Sequence, residues 1–229
     1  MGFERIKLGF VSVYLIKGER GNVLIDAGAP GMGASILKRM ARYGVTPDSL
    51  TLIVITHAHT DHFGGLRVVT EASGAPVAIH QKDAGWLERG VNAPAKGQNA
   101  LGRMATRREG PEESDLGIAP DIIWEDEMDL NPYGVSGKLV HTPGHTVGSS
   151  SVVLDGDIAI GDMLMGWVPP RKPKTPFLAD DMDALADSVE KLLALKPRLL
   201  WAGHGGPFAP ESAAAWLARY KEDREANRD

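Results

Sequence analysis

Thr56-His57-Ala58-His59-Thr60-Asp61-His62 places four metal-capable side chains, His57, His59, Asp61 and His62, within six positions. Imidazole and carboxylate together suit zinc, iron or manganese. Three of the chain's seven histidines fall in this window, a clustering that scattered surface histidines do not produce. The preceding run, Leu50 to Ile55, is apolar and partly β-branched, which predicts a buried strand. His57 and His59 are two apart, so both imidazoles point to one side if the chain stays extended past the strand end. Asp61 and His62 follow as the chain turns towards Gly64-Gly65 and a helix from Leu66. That turn aims them at a second point beside the first, so one short segment can serve two metal ions.

The spacing His57-x-His59-x-Asp61-His62 resembles the signature of the metallo-β-lactamase-fold hydrolases. The elements that would complete such a site can be sought along the chain. Lys7 to Ile16 and Val23 to Ile25, joined by Gly18 to Asn22, read as a β-hairpin. Asp26-Ala27-Gly28 follows, and Asp26 fits equally a plain turn residue and the family's supporting, non-ligating Asp. Ile36, Leu37 and Met40 share a helix face that stops at Gly44. Pro76 to His80 predicts a strand with His80 at its tip, a position the signature does not use as a ligand. Residues 84 to 120 have weak periodicity, with Arg103, Arg107 and Arg108 among them, and read as an irregular insertion.

Lys138 to Val140 is strand-like and runs into His141-Thr142-Pro143-Gly144-His145-Thr146, where Pro143-Gly144 fixes a tight turn. His141 lies before the turn and His145 after it, and family matching selects His145. Ser149 to Leu154 and Ile158 to Ile160 predict another hairpin, followed by Gly161-Asp162. Met163 to Leu178 is too proline-rich for regular structure and should line a cleft beside Asp162. Within it Trp167 offers an apolar face and Arg171 a cation for substrate. Met182 to Leu193 has one apolar helix face. Arg198 to Ala202 predicts a strand ending in Gly203-His204-Gly205, and Pro210 to Ala226 a last helix.

The resemblance covers essentially the whole length. It implies one domain over residues 1–229, an α/β four-layer αββα sandwich with two mixed sheets face to face and helices outside. It assigns His57, His59 and His145 to one metal, Asp61, His62 and His204 to a second, and Asp162 to both. A water shared by two cations is acidic enough to act as hydroxide near neutral pH. One metal would polarise a carbonyl and the other take the leaving group, while Asp61 accepts or relays a proton. Zinc is the expected ion, and the same ligands permit iron or manganese.

Composition sets the outer limits. A charged fraction of 24% and a hydrophobic fraction of 43% are those of an ordinary globular chain. No apolar run approaches the ~20 residues a membrane span needs. A net charge of −5 disfavours a nucleic-acid partner, and the absence of cysteine removes thiolate ligands and nucleophiles. Met1 to Arg5 lacks a basic-then-apolar leader, so the cytoplasm is the expected compartment. Glyoxalase II enzymes share the Thr-His-x-His-x-Asp-His and Pro-Gly-His-Thr segments, but they hold glutathione on a C-terminal helical extension. Here 229 − 204 = 25 residues follow His204. Lactonases carry a tyrosine after the bridging Asp, and Met163 to Leu178 has none. The expected activity is therefore dinuclear-metal hydrolysis of a small-molecule ester, thioester or lactone. The alternatives are a mononuclear iron oxygenase like the persulfide dioxygenases and a β-lactam hydrolase.

Overall fold

The computed structural model describes residues 2–106, 113–166 and 172–226. Its strands are β1 (Phe3–Leu8), β2 (Val11–Lys17), β3 (Asn22–Ile25), β4 (Leu50–Ile55), β5 (Val77–His80), β6 (Lys96–Gly97), β7 (Ile122–Trp124), β8 (Glu127–Asp129), β9 (Lys138–His141), β10 (Ser150–Val153), β11 (Asp157–Ala159), β12 (Leu178–Ala179) and β13 (Leu199–Trp201). Its helices are α1 (Gly33–Met40), α2 (Thr60–Phe63), α3 (Leu66–Ser73), α4 (Gln81–Arg89), α5 (Ala100–Ala105), α6 (Met182–Ala194) and α7 (Pro210–Ala226).

The first sheet runs β1-β2-β3-β4-β5-β7, antiparallel up to β3 and parallel from there on. The second runs β13-β11-β10-β9-β8, with only β11 and β13 parallel. Period-two alternation divides the apolar residues between layers. Tyr14, Ile16, Val23, Ile25, Leu52 and Val54 of the first sheet meet Leu139, Val152 and Ala159 of the second. The opposite face of the first sheet, with Val13, Leu15, Leu24 and Ile53, packs on Ile36 of α1, Val69 of α3 and Leu87 of α4. On the other side Ile158 and Leu200 pack on Leu185, Val189 and Leu192 of α6 and on Trp216 of α7. Helix, sheet, sheet, helix is the sequence of layers, as the family resemblance implies.

Two expectations need correction. The apolar run from Lys7 is not one strand: it turns at Gly9-Phe10, with Gly9 at φ 67°, and Phe3–Leu8 pairs with Val11–Ile16. Apolar residues on both sides of the turn conceal it. The stretch 84–120 is not wholly irregular either. It contains most of α4, in which Ala84 and Leu87 are buried, and all of α5, begun by Asn99, whose side chain accepts from Gly102 N. Gly85, Gly90 and four charged residues between Lys82 and Arg89 dilute the helical period there.

Strand direction concentrates the candidate residues at one edge. β3 and β4 are parallel, and β9, β11 and β13 share a direction because β10 runs antiparallel between β9 and β11. The C-terminal ends of these five strands deliver Asp26, His57 to His62, His145, Asp162 and His204. Ser150 N donates to Thr56 O at 3.0 Å and Ser12 N to Gly203 O at 2.8 Å, which joins the two sheets at that edge.

Candidate metal centre

Backbone partners fix the ring orientation of each histidine. His145 Nδ1 donates to Leu178 O (2.8 Å), and His59 Nε2 donates to Ala93 O (3.1 Å). The Thr56 hydroxyl donates to Asp26 Oδ2 (3.0 Å), so it accepts from His57 Nδ1 at 3.0 Å. Each neutral imidazole keeps one lone pair on its other nitrogen. Those nitrogens converge: His145 Nε2 is 3.1 Å from His57 Nε2 and 3.0 Å from His59 Nδ1. Three buried lone pairs facing one another repel unless a cation shares them. This is the donor set of a metal site.

The second group is built the same way. His62 Nδ1 donates to Asp26 Oδ2 (2.7 Å) and His204 Nδ1 to Phe10 O (2.9 Å). His204 Nε2 then lies 3.1 Å from both Asp61 Oδ2 and Asp162 Oδ2. His62 Nε2 and Asp162 Oδ1, 3.3 Å apart, are buried atoms with no hydrogen-bond partner among the described residues, a pair that a cation would satisfy. Asp61, His62 and His204 form one close cluster, and His57, His62 and Asp162 another. Asp162 Oδ2 is also 3.8 Å from His145 Nε2, so its carboxylate lies between the two groups. All seven ligand candidates thus meet in one place, and all except Asp61 are buried.

The electrostatics differ between the groups. Burial, then neighbouring imidazoles, lowers His57, His59 and His145, the last to about 3. The direction favours the neutral, lone-pair-bearing form of all three. Burial also opposes charge on His204, yet Asp162 and Asp61 outweigh it and hold His204 at about 10. The same contest, with Asp162 and Asp26 prevailing over burial, raises His62. Burial raises the Asp61 carboxyl, but the bond from His204 prevails and brings it to about 2.

The residues around these ligands sort the remaining candidates. Asp26 is a positioning residue, not a plain turn residue. Its carboxylate accepts from Thr56 N (2.8 Å), the Thr56 hydroxyl and His62, and so orients both groups. Those bonds hold it at φ 63°, a costly conformation outside glycine. His141 stays apart. It stacks on His80 at 3.8 Å and 9°, and its Nε2 bonds to Val147 O. Trp167 and Arg171 lie outside the described residues.

A cleft of about 200 Å³ opens over His59, Asp61, His145, Asp162 and His204. Its other lining residues, Phe10, Met165, Phe177 and Leu178, are apolar. The Phe10 ring lies parallel to the His204 ring, 5.7 Å between centroids. A groove of about 300 Å³ between α6 and α7, lined by Asp183, Tyr220 and Arg224, touches none of these residues and is not the site. Phe10 escaped the sequence reading because a lone aromatic at a hairpin tip carries no pattern. Asp83 escaped it as well, although it is fully buried.

The family model described as the metallo-beta-lactamase superfamily matches residues 6–204. Among curated proteins, "Probable metallo-hydrolase YqgX" of Bacillus subtilis is 29% identical over 211 residues, 90% of each chain. The archaeal "Metallo-beta-lactamase fold-containing protein ST1585" of Sulfurisphaera tokodaii is 28% identical over 228 residues, covering 95% of this chain and 82% of that one. Its solved structure matches with a TM-score of 0.64 at 24% identity, over 95% of this chain and 85% of that one. BJP-1, a subclass B3 metallo-beta-lactamase of Bradyrhizobium japonicum, matches with a TM-score of 0.66 at 21% identity, over 98% and 90%. At such identities the structural likenesses speak for the fold alone.

Proposed function

The chain belongs to the metallo-beta-lactamase superfamily and is a metal-dependent hydrolase, and we propose that it cleaves a small ester, thioester or lactone with an apolar acyl part, as in the glyoxalase II and lactonase-like branch. The observation that carries this reading is the apolar wall of Phe10, Met165, Phe177 and Leu178 directly over the two ligand groups. Such a wall favours a carbonyl substrate with a hydrophobic side.

His57, His59 and His145 would hold one cation, Asp61, His62 and His204 a second, and Asp162 would touch both; zinc is the expected ion. When bound, such a pair supplies an acidified water and polarises a carbonyl. The chain's own groups do the rest. Asp26 and Thr56 orient His57 and His62, and the apolar wall seats the acyl part and keeps bulk water out. Asp61, at about 2, is ionised at any working pH. It serves as an acceptor that orients a water or a proton donor more than as a store for the proton.

The test combines elemental analysis with a panel of esters, thioesters, lactones and β-lactams, run on metal-loaded and chelated protein. Chelator-sensitive hydrolysis that improves as the acyl chain becomes more apolar is the expected result. Turnover of β-lactams alone overturns the substrate class. One iron per chain with oxygen uptake on a persulfide overturns hydrolysis itself.

A further inference from the structure

Asp83, in the first turn of α4, has 0% exposure and no part in the chemistry described above. Its Oδ2 accepts from Ala58 N and from the Thr146 hydroxyl, both at 2.8 Å, and its Oδ1 accepts from Gly148 N at 2.9 Å. Ala58 lies between His57 and His59, and Thr146 follows His145. One buried carboxylate therefore bonds both loops that deliver the three-imidazole group and touches none of its ligand atoms. A buried carboxylate is retained where donors compensate it, and three do so here. The fit is tight, because a methyl on residue 148 would lie 2.5 Å from Asp83 Oδ1; only glycine lets that loop close on the carboxylate. Thr146 is itself locked, its N donating to Ser149 Oγ at 2.9 Å and its hydroxyl lying 2.8 Å from that of Ser149.

We propose that Asp83 is a positioning residue that clamps the His57–His59 loop to the His145–Gly148 loop and so sets the three imidazoles in register before any metal arrives. The metal-binding consequence rests on the reading of the site given above; the clamp itself does not. In Asp83→Asn an amide NH₂ faces the Ala58 or the Gly148 N–H, so a donor meets a donor. Gly148→Ala keeps the carboxylate and pushes it away from the opposite side.

Two readouts test the clamp. The first is amide exchange in metal-free protein. The amides of Ala58 and of residue 148 should exchange faster, relative to their intrinsic rates, in both variants, while Ala27 and Gly203, bonded to His62 O and Gly161 O, keep their protection. The second is a cobalt(II) titration in a His62→Ala background, which breaks both clusters that contain His62 and leaves the three-imidazole group whole. Affinity should fall about 10- to 100-fold, with altered visible bands. Val69→Ala, at a buried position of α3 outside both loops, is the stability control and should neither single out Ala58 and residue 148 in exchange nor change cobalt affinity. Parental protection and cobalt affinity in both variants would overturn the proposal, as would equal changes in Val69→Ala. A background protein that binds no cobalt at all would sink the metal reading, and the exchange data would still decide the clamp.

Discussion

Gly203→Ala perturbs the second ligand group without removing a ligand. Gly203 precedes His204 and has no positive φ, so alanine suits its backbone. The new methyl would stand 2.6 Å from His62 Cε1 and would also press on Asp162 Oδ1. Ordinary contact begins at 3.4 Å, so the His62 ring must retreat by 3.4 − 2.6 = 0.8 Å. Metal–ligand distances tolerate only about 0.2 Å. The glycine cannot yield instead. Its N donates to Gly161 O and its carbonyl accepts from Ser12 N, both at 2.8 Å. The variant should therefore fold and keep the metal of the three-imidazole group. It should lose the second metal and about 10²-fold in turnover. Elemental analysis and kcat on one preparation decide this. Two metals per chain with parental kcat would refute the packing account.

Other outcomes follow from the same geometry. His145→Ala should strip metal and abolish turnover while His141→Ala stays mild; the reverse, read by elemental analysis, would mean that the wrong histidine of the pair was chosen. Filling the second group near pH 7 must expel the proton held on His204 at about 10, and three pKa units correspond to about 4 kcal/mol. Calorimetry in two buffers should then show proton release at the second group alone, with affinity rising up to about pH 10; heats independent of buffer would contradict this. The sign for stability follows from the raised pKa: the metal-free protein holds this contribution fully below His204's unfolded value near 6.5 and loses it as pH rises through about 10. Phe10→Ala, removing a ring 48% exposed at the cleft, should raise KM for apolar acyl esters about 10-fold with metal content unchanged, and an unchanged KM would exclude Phe10 from the substrate wall.

The segment His57 to His62 was legible from its own spacing past a short apolar run. His145, Asp162 and His204 were selected by the resemblance to the metallo-β-lactamase family, since His141 competes with His145 and an isolated Gly161-Asp162 reads as a turn. The layers were implied by the same resemblance, and buried strands such as Leu50–Ile55 agree with it. What supports the ligands was legible only in part. Asp26 fits a turn residue and the family's supporting Asp equally, and its bonds to residues 30 and 36 positions away decide between them. Asp83 carries no local signal, and its partners lie 25, 63 and 65 positions away. Such residues are defined by tertiary contact, which periodicity does not encode. The turn at Gly9-Phe10 was hidden by apolar neighbours, and with it the aromatic wall beside His204.

The central claim is that the two His/Asp groups hold the ions on which hydrolysis depends. The most direct measurement is a titration of chelated protein with zinc, following bound metal and hydrolysis of an apolar acyl ester together. The account expects two equivalents to bind and turnover, absent at zero, to be complete only once both groups are filled. Full hydrolysis by the chelated protein, or none after two equivalents are bound, would contradict it.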